Sequence, residues 1–466
     1  MYQSLEELLR KYEEMVGQER SVYFDADQIE SIAFSFESKE DFSEALRVVD
    51  YGLSLHPGNP NLLLCKAKYL LFLDYIEEAG ALLPLLPTDG EESALIRIEY
   101  AFACGRPEEG MALIDAWMAD LTWEFALDVV SILWGYVSYQ EIVAYLKRAL
   151  DRLPDEPHLL QELANIYQDN ANPEGAIELY NRLLDIDPYQ SEIWYELARS
   201  HVALKAFEQA IEATDFGLAI DSQNGDMLCL KGFCLYDLGR IEEALTTFLE
   251  YAELGINPEH AYEYVSDCYV KLEQMPQALE YLRQDLELNP DNEYMLYQAA
   301  YCLQDIGNTP EARKHLYHTL KLNPNQLDCW LLLGECLMQE DNFREAYDAY
   351  KHALEMDTEN VDLLATLGDI CEKLDRMPDA ADYYARAHEL RKFDIKLIFR
   401  LLLAYYATGQ TDKAEQLSAE INRLTAMIEG DVPGMTEQEK EEIRGASTMV
   451  ESLKRMLHEI LHQNRN

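Results

Sequence analysis

Positive charge is what this chain has least of. Lys and Arg number 38 against 87 Asp and Glu, a formal net charge of −49 over 466 residues. Nucleic acid and anionic membranes both need a neutralising positive surface, so neither is an expected partner. Basic proteins or peptides are the electrostatically favoured ones. The acid has a plainer use as well, in solvating a long array and keeping copies apart. Long apolar runs are also missing, with no stretch near the ~18 residues of a membrane span. The start, Met1-Tyr2-Gln3-Ser4-Leu5-Glu6-Glu7, has no basic region followed by an apolar core, so no signal peptide is expected. The 9 cysteines are an odd number without framework spacing, which points to a reducing compartment, and cytoplasm is the expected location. No phosphate-binding Gly loop and no nucleophile elbow is found, so no cofactor and no catalytic residue is assigned.

What the chain does have is a period. Ala176, Ala210, Ala244, Ala278, Ala312 and Ala346 are 34 residues apart, and the phase continues to Ala380 and Ala414. Twelve positions before each alanine up to Ala380 stands a second small residue: Ala164, Ala198, Gly232, Ser266, Ala300, Gly334, Gly368. Four positions earlier again comes a large one: Leu160, Trp194, Leu228, Tyr262, Leu296, Trp330, Leu364. Self-similarity at fixed period means stacked units. One unit is legible in Asp291 to Pro324. Apolar residues recur at helical spacing from Tyr294 to Leu303. Gly307 suits the left-handed residue past a helix end, and Pro310 opens a second helix where its missing N–H costs nothing. Helices approach to roughly 8–10 Å only across small side chains, so the phased Ala and Gly mark the crossings. A single helix pair cannot bury its apolar face, and neighbours must stack.

This pattern resembles the tetratricopeptide repeat. Leu160, Leu163, Ala164, Tyr167, Ala176, Tyr180 and Pro188 fill the family's slots in order, with Leu183 where an alanine is usual. Trp330, Leu333, Gly334, Ala346, Tyr350 and Ala353 do nearly as well, whereas Lys231 takes a leucine slot and Asp285 and Thr319 take alanine slots. The resemblance implies an all-α, right-handed superhelical solenoid of stacked helix-turn-helix units. We expect a capping helix in 1–25, about four divergent units in 26–156, eight regular units in 157–428, and a linker with a capping or partner-binding helix in 429–466. Spacings of 31 and 32 between the phased positions of units two to four imply shorter turns there, with a local change of geometry near 85–125.

Two constellations look like chemistry. His458-Glu459-Ile460-Leu461-His462 has the H-E-x-x-H spacing of helical zinc sites, the basis of an alternative reading as a zinc metallopeptidase-like enzyme. Such sites normally take a third ligand from downstream, and only four residues follow. No metal site is therefore assigned. Cys234, Cys268, Cys302 and Cys336 are also 34 apart, but equivalent positions in stacked units are separated by about one helix-packing distance, too far for a disulfide or a shared metal. They read as one apolar packing slot used four times.

The resemblance also implies a concave wall built from first helices. By phase its inward positions are Tyr195, Arg199, Phe233, Tyr236, Glu263, Asp267, Tyr294, Tyr297, Tyr301, Glu335 and Asp369, an aromatic and acidic surface. Family members that hold chaperone C-termini use phased Lys, Asn and Arg. The matching slots here hold Gln161 and Asn165, Tyr195 and Arg199, then Cys229 and Phe233, so that clamp is absent. The expected function is a non-enzymatic scaffold or adaptor that binds a basic, apolar peptide segment or protein in this groove. A structural homo-oligomer built through the terminal helices is the remaining alternative.

Overall fold

The computed structural model describes residues 4–18, 21–392 and 394–428, together with Glu441, Gly445, Thr448 and Ser452. These residues form helices and no strands. A first helix, α1 (Leu5–Gln18), precedes four hairpins. They are α2 (Ala26–Glu37) with α3 (Phe42–Leu55), α4 (Pro60–Phe72) with α5 (Ile76–Leu82), α6 (Glu91–Ala103) with α7 (Pro107–Trp117), and α8 (Trp123–Leu133) with α9 (Tyr139–Arg152). Eight more follow. The first four are α10 (Pro157–Asp169) with α11 (Pro173–Ile186), α12 (Ser191–Ala203) with α13 (Phe207–Ile220), α14 (Gly225–Asp237) with α15 (Ile241–Glu253), and α16 (Pro258–Lys271) with α17 (Met275–Leu288). The last four are α18 (Glu293–Asp305) with α19 (Thr309–Leu322), α20 (Leu327–Gln339) with α21 (Phe343–Met356), α22 (Val361–Lys373) with α23 (Met377–Leu390), and α24 (Ile395–Ala407) with α25 (Thr411–Ile428). The fold is an all-α repeat solenoid, and the chain divides into two compact units, 1–227 and 228–466.

Each of the eight regular hairpins closes in the same way. A three-residue turn follows the first helix, and its middle residue has positive φ: Ala171, Lys205, Gly239, Glu273, Gly307, Asp341, Asp375 and Gly409, between 54° and 82°. The third residue's N–H then donates to the carbonyl five positions back, as in Asn172 to Tyr167 and Asn308 to Leu303, both 2.8 Å. This is the Schellman closure, which satisfies carbonyls the helix end leaves open. Only three of the eight positions are glycine. A non-glycine residue there costs roughly 1–2 kcal/mol of local strain, which the packed hairpin must offset.

The expected crossings are found. All eight phased alanines from Ala176 to Ala414 are fully buried. The glycines at the other crossing face rings: a methyl on Gly232 would come within 2.4 Å of Phe248, on Gly334 within 2.6 Å of Tyr350, and on Gly368 within 2.3 Å of Tyr384. Where the facing residue is smaller, Leu282 or Leu316, the crossing holds Ser266 or Ala300. Size is thus matched across these five pairs, as close packing requires, while the hairpin α10–α11 sets Ala164 opposite Tyr180. The phased tryptophans have a polar role too, since Trp194 and Trp330 each donate Nε1–H to the carbonyl of the proline six residues earlier, Pro188 and Pro324, at 2.9 Å.

Cys234, Cys268, Cys302 and Cys336 are buried, and none of the nine cysteines is in a disulfide. Burial pushes these four thiols up to about 11 or 12, so they pack as small apolar groups. The shortened early units differ from expectation in one respect. Their turns Leu73–Tyr75 and Cys104–Arg106 have the same three residues as the regular ones. The helices have shrunk instead: α5 has 7 residues, α7 has 11 and α8 has 11, against 13 or 14 in the regular hairpins before the last. A 3-10 turn, Leu83–Leu85, and Gly90 at φ 112° carry the chain from α5 to α6.

Candidate protein-binding face

In the unit 228–466, the first helices α16, α18 and α20 carry most of the expected face. The helix α18 buries Met295, Leu296, Ala299, Ala300, Cys302 and Leu303. A second stripe carries Tyr294, Tyr297, Gln298 and Tyr301, at the three- and four-residue spacing that keeps side chains on one face. Tyr294 is 43% exposed and Tyr301 37%, whereas Tyr297 is half-buried and packs against the core.

The carboxylates expected to flank this stripe have unequal freedom. Asp267, from α16, accepts the Tyr294 hydroxyl at 2.9 and 3.1 Å on its two oxygens, and Gln298 donates to that hydroxyl at 2.9 Å. Burial raises the Asp267 carboxyl, and the Tyr294 bond and Lys271 pull it back. It therefore holds Tyr294 in place as well as carrying charge. Glu263 is also raised, by burial first and then by Asp267. Glu335 is exposed on α20, one repeat on from Tyr301. Asp369, on α22, differs from expectation: it accepts from the buried Tyr384 hydroxyl at 2.6 Å and pairs with Arg400 at 2.8 Å. Asn165 does the same for Tyr180, at 3.1 Å. In these two hairpins the slot after the small residue supplies the acceptor of the facing phenol, whereas Glu335, in the same slot opposite Tyr350, is exposed.

Phe233, 40% exposed on α14, meets Tyr264 edge-on at 4.6 Å and Phe248 at 5.7 Å. Tyr236 is half-buried, its hydroxyl raised by burial and by Asp267. Tyr264 and Gln298 thus belong to the face although phase alone did not select them. The spacing of three and four from selected neighbours was the available signal. In the other unit, Tyr195 and Arg199 lie together on α12. The Arg199 guanidinium sits 5.8 Å from the Tyr195 ring centre and bonds Glu196 at 2.9 and 3.1 Å, so its charge is already answered.

Among the described residues no group of three or more His, Cys, Asp or Glu is placed to hold a metal ion, and no helix is long and apolar enough to cross a membrane. The His458 to His462 segment lies outside the described residues.

Residues 157–200 and 195–261 match models of the tetratricopeptide repeat, and residues 256–423 match the model described as the tetratricopeptide repeat protein 21 C-terminal ARM domain. The chain carries tetratricopeptide repeats. Solved structures resemble it at low identity. YrrB, described as a TPR protein with an unusual peptide-binding site, is 21% identical over 41% of this chain and 97% of its own, with a TM-score of 0.38. A tetratricopeptide repeat protein from Parabacteroides merdae is 15% identical over 53% of this chain and 98% of its own, with a TM-score of 0.38. The APC/C hetero-tetramer Cut9–Hcn1 gives 12% identity over 82% and 84%, with a TM-score of 0.34. No curated protein matches the chain. The match to the tetratricopeptide repeat protein 21 C-terminal ARM domain spans α16, α18 and α20.

Proposed function

We propose that this protein is a non-enzymatic interaction scaffold, and that it holds a partner's extended or helical segment on the α16–α18–α20 face. The observation that carries this reading is the pair of exposed rings Tyr294 and Tyr301 on α18, with Tyr297 half-buried beside them. Tyrosine brings large contact area at low entropic cost, as binding hot spots favour. The nearby acids Asp267, Glu263 and Glu335 suit Lys or Arg, whose stems lie along rings while their heads meet carboxylates. A basic and apolar partner segment follows from this, and the net charge of −49 would favour its approach.

The test compares wild type with Tyr301→Ala plus Glu335→Gln. Tyr301 makes no side-chain hydrogen bond among the described residues and Glu335 is exposed, so the fold should be kept. Partners captured by wild type and identified by mass spectrometry are titrated against both proteins at low and high salt. Binding that weakens in the variant and with salt supports the reading. Equal affinity, or indifference to salt, removes the partner from this face.

A further inference from the structure

The four N-terminal hairpins enclose a cleft of about 860 Å³ that no periodic pattern disclosed. Its walls are the first helices α2, α4, α6 and α8, one from each hairpin, together with Leu5 of α1. Two rings stand open in it: Phe34 is 64% exposed and Phe72 51%. Phe72 is not loose, since it stacks on Phe42 with ring centres 4.6 Å apart and planes 7° from parallel. Apolar area this exposed costs free energy in water, roughly 25 cal/mol for each Å² that a partner could cover.

The same walls carry five carboxylates and one cation. Lys68 is the cation, and it is committed: its Nζ lies 2.5 Å from Glu37, which also accepts the Tyr69 hydroxyl at 2.8 Å. Glu30, Glu99 and Asp128 form no ion pair among the described residues. Glu30 Oε1 is shut off from solvent without a hydrogen-bond partner. Burial raises the carboxyls of all three. Such an oxygen is costly to leave unpaired, and a cation brought beside it is attracted more strongly than it would be in water.

We infer that this cleft is a second protein-binding site, taking a partner segment that presents a large apolar side chain to Phe34 and Phe72 and a Lys or Arg to Glu30, Glu99 and Asp128. Its length selects a peptide. Four helices side by side span three steps of ~8–10 Å, so roughly 24–30 Å. That accommodates about eight extended residues at ~3.3 Å each, far more than one small cation. The charge selects the sign of the partner, because an acidic segment would meet five carboxylates and one occupied lysine. The site shares no residue with the α16–α20 face, and it stands whether or not that face binds anything.

The test uses the full chain and a fluorescein-labelled 12-residue peptide of Leu, Lys and Ser, read by anisotropy. Two sister peptides replace every Lys by Glu or every Leu by Ser. The parent should bind, and each sister should bind about tenfold more weakly or worse. On the protein, Glu99→Gln with Asp128→Asn, and separately Phe34→Ala, should each weaken the parent peptide about tenfold with an unchanged far-UV spectrum. Glu174→Gln with Glu178→Gln, two exposed acids of α11, and Tyr301→Ala should change it less than about twofold. A Leu-free peptide that binds as well as the parent would reduce the cleft to general charge attraction. Equal loss from the α11 pair would do the same. Loss from Tyr301→Ala with the cleft variants unaffected would overturn the assignment in favour of the other face.

Discussion

The pairing of glycine with a ring across each hairpin makes a quantitative prediction. A Cβ placed on Gly232 would lie 2.4 Å from Phe248, whereas carbon atoms sit comfortably at ~3.5–4.0 Å. The ring would have to retreat by more than ~1 Å. It has little room, because Phe248 is 1% exposed and its ring centre is 5.0 Å from that of Tyr264 and 5.7 Å from that of Phe233. Overpacking of this kind costs about 1–3 kcal/mol. Replacing glycine by alanine inside a helix returns about 1 kcal/mol, so Gly232→Ala should destabilise by a net of about 0–2 kcal/mol. Phe248→Leu alone leaves a partial void and should also destabilise, by about 1 kcal/mol or more. The double variant recreates the native Ala300–Leu316 pair and should cost less than the sum, with a coupling of about 1 kcal/mol or more. Urea unfolding followed by far-UV dichroism measures the cycle, fitted with a nearest-neighbour model suited to stacked repeats. Gly17→Ala, with nothing within 4 Å of its added methyl, is the control and should not destabilise. Additivity of the Gly232 and Phe248 changes within about 0.5 kcal/mol would refute the size-matching argument.

Three further predictions follow from the backbone and the core. Ala171→Gly and Glu273→Gly relieve left-handed strain at φ 54° and 57° and should each stabilise by about 1 kcal/mol, while Gly307→Ala at φ 82° should destabilise by a similar amount; the opposite ordering of thermal midpoints would contradict the turn geometry. Asp285 is 1% exposed in an alanine slot, with Oδ1 lacking a hydrogen-bond partner among the described residues, so Asp285→Ala should stabilise by about 1–3 kcal/mol at neutral pH. Burial raises the Asp285 carboxyl above its unfolded value, so its destabilisation is absent below the unfolded pKa and grows as pH rises toward the folded one. The gain from Asp285→Ala should therefore shrink in acid, and a gain independent of pH would rule out an ionised carboxylate as its source. Maleimide at neutral pH should leave Cys234, Cys268, Cys302 and Cys336 unlabelled in the folded chain and label them in urea; rapid native labelling of these four would contradict their burial.

How far the sequence could be read depended on whether a residue's use is set by its own phase or by its neighbours. The crossings were legible because only small residues fit there, and Ala176 to Ala414 announce themselves at fixed spacing. The hairpin turns were half legible. Gly239, Gly307 and Gly409 signal a left-handed position, but Ala171, Lys205 and Glu273 adopt the same backbone without the glycine that would reveal it. The shortened early units were misread for a related reason. Spacing counts residues without saying whether a turn or a helix has lost them, and α5, α7 and α8 are where the loss occurred. The N-terminal cleft was not legible at all. Glu30, Leu64, Leu95 and Asp128, one from each wall, are 34, 31 and 33 apart, so no constant period connects them.

A shared phase fixes where a side chain emerges; it does not fix whether that side chain is already engaged. Asn165, Arg199, Phe233, Asp267, Tyr301, Glu335 and Asp369 occupy one slot, immediately after the small residue of each first helix. The second helix decides their fate. Where it offers Tyr180 or Tyr384, the buried phenol needs an acceptor, and Asn165 or Asp369 supplies it. Where it offers Leu282 or Leu316, no such demand exists. Asp267 then turns outward to Tyr294, and Tyr301 is left 37% exposed. A binding face can therefore be placed along a regular array by reading two helices together. The slot after the small residue stays open where the second helix does not draw it into a hydrogen bond, and Tyr301 opposite Leu316, Glu335 opposite Tyr350 and Phe233 opposite Phe248 are all exposed. The tyrosine stripe lies on α18, and Glu335 comes from the next first helix, α20.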